Sequence, residues 1–181
     1  MKKLLLHTCC APCGIAVIDE LRKEYDLSVL FFNPNIHPEE EYIKRKNEIL
    51  SLCAEWRIPI IDQDYVIKDW EIATAGLENE PEGGKRCLSC FHLRLSHTAR
   101  LAKELNFDLF ASTLTMGSNK KAVTINQIGE AAAMLCGVKF YPADWKKGGR
   151  SEIARKLTKE RNIYRQNYCG CKYSLRDRSN N

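Results

Sequence analysis

Lys3-Leu4-Leu5-Leu6-His7-Thr8-Cys9-Cys10-Ala11-Pro12-Cys13 opens the chain and decides its fold. Lys3 to His7 reads as a short buried strand, and Cys9-Cys10-Ala11-Pro12 as the turn into a helix. Pro12 suits the first helical turn, where an N–H has no intrahelical partner, and Ile15, Val17, Ile18 and Leu21 supply the apolar positions. The start imitates a signal peptide, but its apolar part stops after three leucines. A secretory apolar region needs about 7–15 residues. The expectation is a cytoplasmic chain beginning directly in a strand, where clustered thiols stay reduced and bind metal or do redox work.

The same alternation continues downstream. Leu27 to Phe32 is a second buried strand; His37-Pro38-Glu39-Glu40-Glu41 opens a helix with its acids at the positive end. Ile58 to Ile61 is a third strand, and Ala75 to Lys85, rich in Gly, Glu and Pro, reads as a mobile loop. A helix from Cys87 buries Phe91, Leu95, Thr98, Ala99 and Ala102. Phe107 to Ser112 is a strand, Ala122 to Leu135 a helix, Val138 to Tyr141 a fifth strand, and Ile153 to Glu160 a last, basic helix. This pattern predicts one three-layer α/β domain over residues 1–181, with a mostly parallel five-stranded sheet covered by helices on both faces. Ligands of such sheets bind at the carboxyl ends of the strands, at a topological switch point. The first strand ends at Cys9-Cys10, so the expected crevice already holds two thiols.

Composition agrees with a globular chain: of 181 residues, 44% are apolar and 28% charged, which excludes a disordered or fibrous protein. No apolar run approaches the roughly 20 residues of a membrane-spanning helix. The net charge of +5 is uneven, with +7 from Asp144 onward and −2 before it. In that basic segment, 144–181, Lys146, Lys147, Arg150, Arg155, Lys156, Arg165, Lys172 and Arg176 interleave with Trp145, Tyr164, Tyr168 and Tyr173. Cations for phosphates and rings for bases suggest nucleic acid, although a charge run alone is more often a solvated face.

Nine cysteines are an odd count that fits a secreted disulfide scaffold poorly. Cys9-Cys10-Ala11-Pro12-Cys13 and Cys87-Leu88-Ser89-Cys90 each precede a helix, whose N-terminus favours thiolates. Two thiolates from each would make an all-cysteine ligand set for zinc or an iron–sulfur cluster. Adjacent Cys9 and Cys10 should point different ways and grip different metals, which favours iron–sulfur over a zinc ribbon and over plain thiol chemistry. Cys13 is open between ligand and packing. Cys169-Gly170-Cys171 can close a small, strained disulfide suited to a redox shuttle, or supply two further ligands or reduced bystanders. Cys53 and Cys136 lie on apolar helix stripes and read as core. The four histidines have no metal-site spacing, and neither GxGxxG nor GxxxxGK[ST] is present. Thr113-Leu114-Thr115 and Ser118-Asn119-Lys120 follow the fourth strand and can hold a phosphate or sugar, or merely cap a helix.

Four segments together resemble one family: Leu4 to Cys13, Phe32-Asn33-Pro34-Asn35-Ile36-His37-Pro38, Arg86 to Phe91, and Tyr164 to Ser174 around Cys169-Gly170-Cys171. They are similar to the cobalamin-independent epoxyqueuosine reductases (QueH) and occur in the family's order across nearly the whole chain. The chain departs at Ser112, where threonine is expected, and at Gly117-Ser118, where Ser-Pro is expected. The resemblance implies a HUP/PP-loop-like Rossmannoid fold and reduction of the epoxide of epoxyqueuosine, at the tRNA wobble position, to queuosine. It implies a [4Fe-4S] cluster on Cys9, Cys10, Cys87 and Cys90, and a redox-active disulfide of Cys169 and Cys171. An adjacent mononuclear iron is a further implication, with Cys13 or Asp144 as its candidate ligand. Asp144 and Tyr168 are candidate proton donors, and the basic segment would hold the tRNA. The electron donor is unidentified. A zinc-stabilised RNA-binding protein without redox activity is the competing reading.

Overall fold

The computed structural model describes residues 1–179, with side chains described as far as Leu175, so the Arg176 side chain lies outside the described residues. Strands β1 (Lys3–His7), β2 (Asp26–Phe31), β3 (Ile60–Asp62), β4 (Leu109–Ser112) and β5 (Lys139–Phe140) alternate with helices α1 (Ala11–Leu21), α2 (Glu39–Trp56), α3 (Ile67–Thr74), α4 (Lys85–Glu104), α5 (Ala122–Cys136), α6 (Arg150–Glu160) and α7 (Lys172–Ser179). The sheet order is β3-β2-β1-β4-β5, and all four pairings are parallel. Leu5 pairs with Ser28 on one side and Phe110 on the other. The chain leaves β1 in opposite directions across the sheet, to β2 and later to β4, so the switch point falls at the carboxyl end of β1.

Alternation along β1 builds both cores. Leu4 and Leu6 face a cluster with Ile15, Ile18, Ile49 and Trp145; Leu5 faces the other side with Leu95, Phe110 and Ile125. Helices therefore cover both faces, as the sequence pattern predicts. Cys53 is core, whereas Cys136 is only half-buried at the margin of the second cluster.

Three elements differ from expectation. β3 runs Ile60–Asp62, a shift from the expected 58–61. Helix α3 is eight residues with only Trp70 and Thr74 buried, too short and polar to show a periodic stripe, and α7 follows the expected last helix. The supposedly mobile loop 75–85 is tied down. The fully buried Arg86 donates from Nη1 to the carbonyls of Glu78 (3.0 Å) and Glu80 and lies over the Tyr173 ring, while Glu80 accepts from the Lys85 N–H. One arginine thus satisfies a turn that composition alone reads as free.

Among the described residues no helix is long and apolar enough to cross a membrane. Leu5, fully buried in the central strand, sets a stability test. Leu5→Ala should lower the unfolding free energy by about 2–5 kcal/mol in urea denaturation, with little change in the slope of the transition.

Candidate metal centre

The three thiols that follow β1 converge. Cys10 caps α1 in an extended conformation, and Cys13 lies in the helix's first turn. The sulfurs of Cys9, Cys10 and Cys13 all lie within 4.8 Å of one another. Cys9 and Cys10 are 3.8 Å apart. A tetrahedral ion with about 2.3 Å metal–sulfur bonds spaces its sulfurs about 3.8 Å apart. The two sulfurs thus stand close together despite their sequence adjacency, as the chain passes from β1 into α1.

Cys87 stands in the first turn of α4 and Cys90 in the second, and Gly83 N–H donates to Cys87 Sγ at 3.2 Å. With Cys169 and Cys171 they line a narrow cavity of about 30 Å³ walled by Trp70, Phe91 and Arg94. A larger cleft of about 690 Å³ opens beside it over Cys9, Cys13 and Cys169. Cys169 belongs to both walls. None of the described cysteines is disulfide-bonded.

The Cys169-Gly170-Cys171 strap is placed by a clasp that lay hidden in the sequence. Arg45 and Glu41, both buried on α2, pair at 2.7 Å. Arg45 also donates to the carbonyls of Tyr168 (3.2 Å) and Cys169 (3.1 Å), and Tyr164 donates to the second Glu41 oxygen at 2.8 Å. His37 N–H donates to the Gly170 carbonyl at 2.7 Å, and Gln166 Nε2 lies 2.8 Å from Cys10 Sγ. Gly170 sits at φ +115°, where a Cβ would come within 3.2 Å of both Ile36 and Arg45, so only glycine lets the strap lie this close.

The electrostatics favour an anionic occupant. Hydrogen bonds from Cys10 and Cys13 hold the Cys9 thiol well below its ordinary range, with Lys120 and Arg94 helping against burial. Cys13 works to lower Cys10, but the bond to Cys9 and burial push it up to about 12. Burial raises Cys87 and Cys90, and raises Cys171 to about 11. Arg94 is buried, yet it donates to a neutral group, Asn33 Oδ1 at 2.7 Å, and its Nε lies 3.4 Å from His7 Nε2. Burial and Arg94 lower His7 to about 3, keeping it neutral. Its Nδ1 meets Ser112 Oγ at 2.9 Å and its Nε2 the Phe32 carbonyl at 3.1 Å. Lys120 lines the same cavities; burial disfavours its charge, but Cys9, Cys169 and Cys13 together raise it. Buried cations beside sulfurs fit a thiolate-bound metal centre, whose ligands bring negative charge.

The basic residues expected to meet nucleic acid separate into two sets. Arg155 and Arg165 are exposed and line the cleft. Lys147 and Lys156 are exposed elsewhere, each only 3.9 Å from an acid. Lys146 instead donates to the Lys120 carbonyl at 2.7 Å, Arg150 forks onto Glu20, and Lys172 meets Glu71 at 2.9 Å. Tyr168 spends its hydroxyl on the His37 carbonyl, and Asp144 lines neither cavity, its Oδ1 buried without a partner. Arg94 is a site residue that the sequence pattern left unassigned; Lys120, part of the segment read as able to hold a phosphate or sugar, lines both thiol cavities.

A parallel Rossmannoid sheet with a thiol-lined basin at its switch point defines a thiol-rich α/β protein able to hold a metal. The fold is shared with solved structures. The U34-tRNA thiolase NcsA from Methanococcus maripaludis, with its [4Fe-4S] cluster, matches at TM-score 0.60 and 15% identity over 96% of this chain and 61% of that one. A predicted tRNA methyltransferase subunit from Methanocaldococcus jannaschii matches at TM-score 0.50 and 13% identity, over 87% and 88% of the two chains. Residues 4–177 match the family described as Epoxyqueuosine reductase QueH. Relatives bearing that name include those of Histophilus somni, 42% identical over 97% of this chain and 73% of the relative, and Thermotoga maritima, 35% identical over 98% and 93%. The chain belongs to the epoxyqueuosine reductase QueH family, a family of oxidoreductases.

The clasp makes a direct prediction. Arg45→Met strands the Glu41 carboxylate and should cost about 3–5 kcal/mol. If the variant is folded, amide exchange in 164–171 should accelerate at least about tenfold while β1 and β2 stay protected.

Proposed function

We propose that this chain reduces the epoxide of epoxyqueuosine in tRNA to queuosine, the last step of queuosine biosynthesis. The observation that carries the proposal is the gathering of seven cysteines from three distant segments around a cation-lined cleft, in a member of this family. The donor set suits a metal centre, and we assign Cys9, Cys10, Cys87 and Cys90 to a [4Fe-4S] cluster. Cys13, within reach of Cys9 and Cys10, is free for an adjacent iron. Bound there, such a centre supplies single electrons and a Lewis acid for the oxygen.

The chain's own residues do the rest. The cleft, about 690 Å³, is large enough for an extruded nucleotide. Arg155 and Arg165 at its walls take RNA phosphates, supported by Lys147 and Lys156 outside. Lys146, Arg150 and Lys172 act mainly by holding loops and helices in place, given their internal partners. Cys169 and Cys171, carried on the clasped strap, exchange electrons as a thiol–disulfide pair.

Turnover of an anticodon stem-loop carrying epoxyqueuosine, followed by mass spectrometry with dithionite as reductant, tests this. The wild-type protein should remove one oxygen per RNA. Cys9→Ala and Cys87→Ala should fall below about 1% of its rate, Cys53→Ala should keep it, and Cys169→Ser should lose multiple turnover. Full activity in Cys9→Ala would refute the assignment of the thiol basin.

A further inference from the structure

Lys120 is a cation at the centre of the basin that neither metal binding nor RNA anchoring uses. It ends the turn 117–120 that follows β4, beside the exit of β1. The turn is braced from within. Lys120 N–H donates to the Gly117 carbonyl at 3.1 Å, and the Lys146 ammonium donates to the Lys120 carbonyl at 2.7 Å. The Lys120 stem then crosses Gly117 so closely that a Cβ there would lie 2.9 Å from its Cδ.

That path brings Lys120 to the wall shared by the narrow thiol cavity and the open cleft. Cys169 lines both cavities with it, Cys9 and Cys13 line the open cleft, and Cys87, Cys90 and Arg94 line the narrow cavity. Among the described residues lining the two cavities the one carboxylate is the exposed Glu82. The other candidates for meeting a substrate oxygen are occupied or remote: Tyr168 donates to His37, Arg94 is engaged below the thiols, and Asp144 lines neither cavity.

We propose that the Lys120 ammonium is a catalytic residue, hydrogen-bonding to the epoxide oxygen and stabilising the negative charge that builds on it as the carbon–oxygen bond breaks. The inference rests on the reductase reading. In the overall step both carbon–oxygen bonds break and a carbon–carbon double bond forms. Two electrons enter from an external one-electron reductant, dithionite in the assay, two protons come from solvent, and the oxygen leaves as water. Lys120 keeps its proton; its contribution is a fixed donor aimed where charge develops.

Two measurements on the metal-loaded protein test this. In the turnover assay, Lys120→Met should lose about 10²–10³-fold in kcat with KM raised by no more than about tenfold, while Lys120→Arg recovers part of the loss. In equilibrium binding without reductant, the wild type should hold the epoxyqueuosine stem-loop about tenfold tighter than the queuosine stem-loop, and Lys120→Met should erase that difference. Iron content and visible spectrum should match the wild type. Wild-type kcat in Lys120→Met, or an unchanged preference for the epoxide, would overturn the role of Lys120. Absence of turnover in the wild type would instead sink the reductase reading.

Discussion

His7 is fully buried at the end of β1, where its ring joins Ser112, the last residue of β4, to the carbonyl of Phe32 after β2. These bonds, with Thr8 N–H on the Leu30 carbonyl, lock three neighbouring strand ends together at the one place where the sheet order reverses. The next residues have no sheet left to join, so Cys9, Cys10 and Cys13 are delivered into the crevice with little freedom. A neutral ring is what allows this. The burial that lowers His7 to about 3 also keeps a further positive charge out of a neighbourhood that already holds Arg94.

The charge pattern around the basin follows from that anchoring. Arg94 reaches His7 and Asn33 from α4, Arg45 reaches the strap from α2, and Lys120 arrives from the loop after β4. Arg45 has its carboxylate in Glu41, while Arg94 donates to the neutral Asn33 and Lys120 lines both thiol cavities. Positive charge desolvated in this way needs a negative counterpart, and the cysteine sulfurs are the groups positioned to provide it. The thiols and the open cleft thus share one field, set by three separate elements.

Much of this was legible in the sequence. The apolar run before Cys9, the near-continuous Leu27–Phe32 and the Phe107–Ser112 strand were sufficient for a parallel sheet, because buried strands have few other sequence solutions. The helix-start cysteines pointed to the basin for the same local reason, dipole and free amides. What stayed hidden depends on contacts distant in sequence. The Glu41–Arg45 pair reads as an ordinary i,i+4 surface pair until the strap carbonyls close over it. Arg86, which orders the 75–85 turn, looks like any helix-start arginine. Lysine and arginine counts could not separate Arg155 and Arg165, which face the cleft, from Arg150, which is consumed by Glu20.

Metal analysis of anaerobically purified protein tests most directly the proposed iron–sulfur centre of the thiol basin. We expect a brown protein with about four irons and four sulfides per chain, with a further iron where the adjacent site is filled. A colourless protein with one zinc, unchanged after attempted cluster reconstitution, would contradict it.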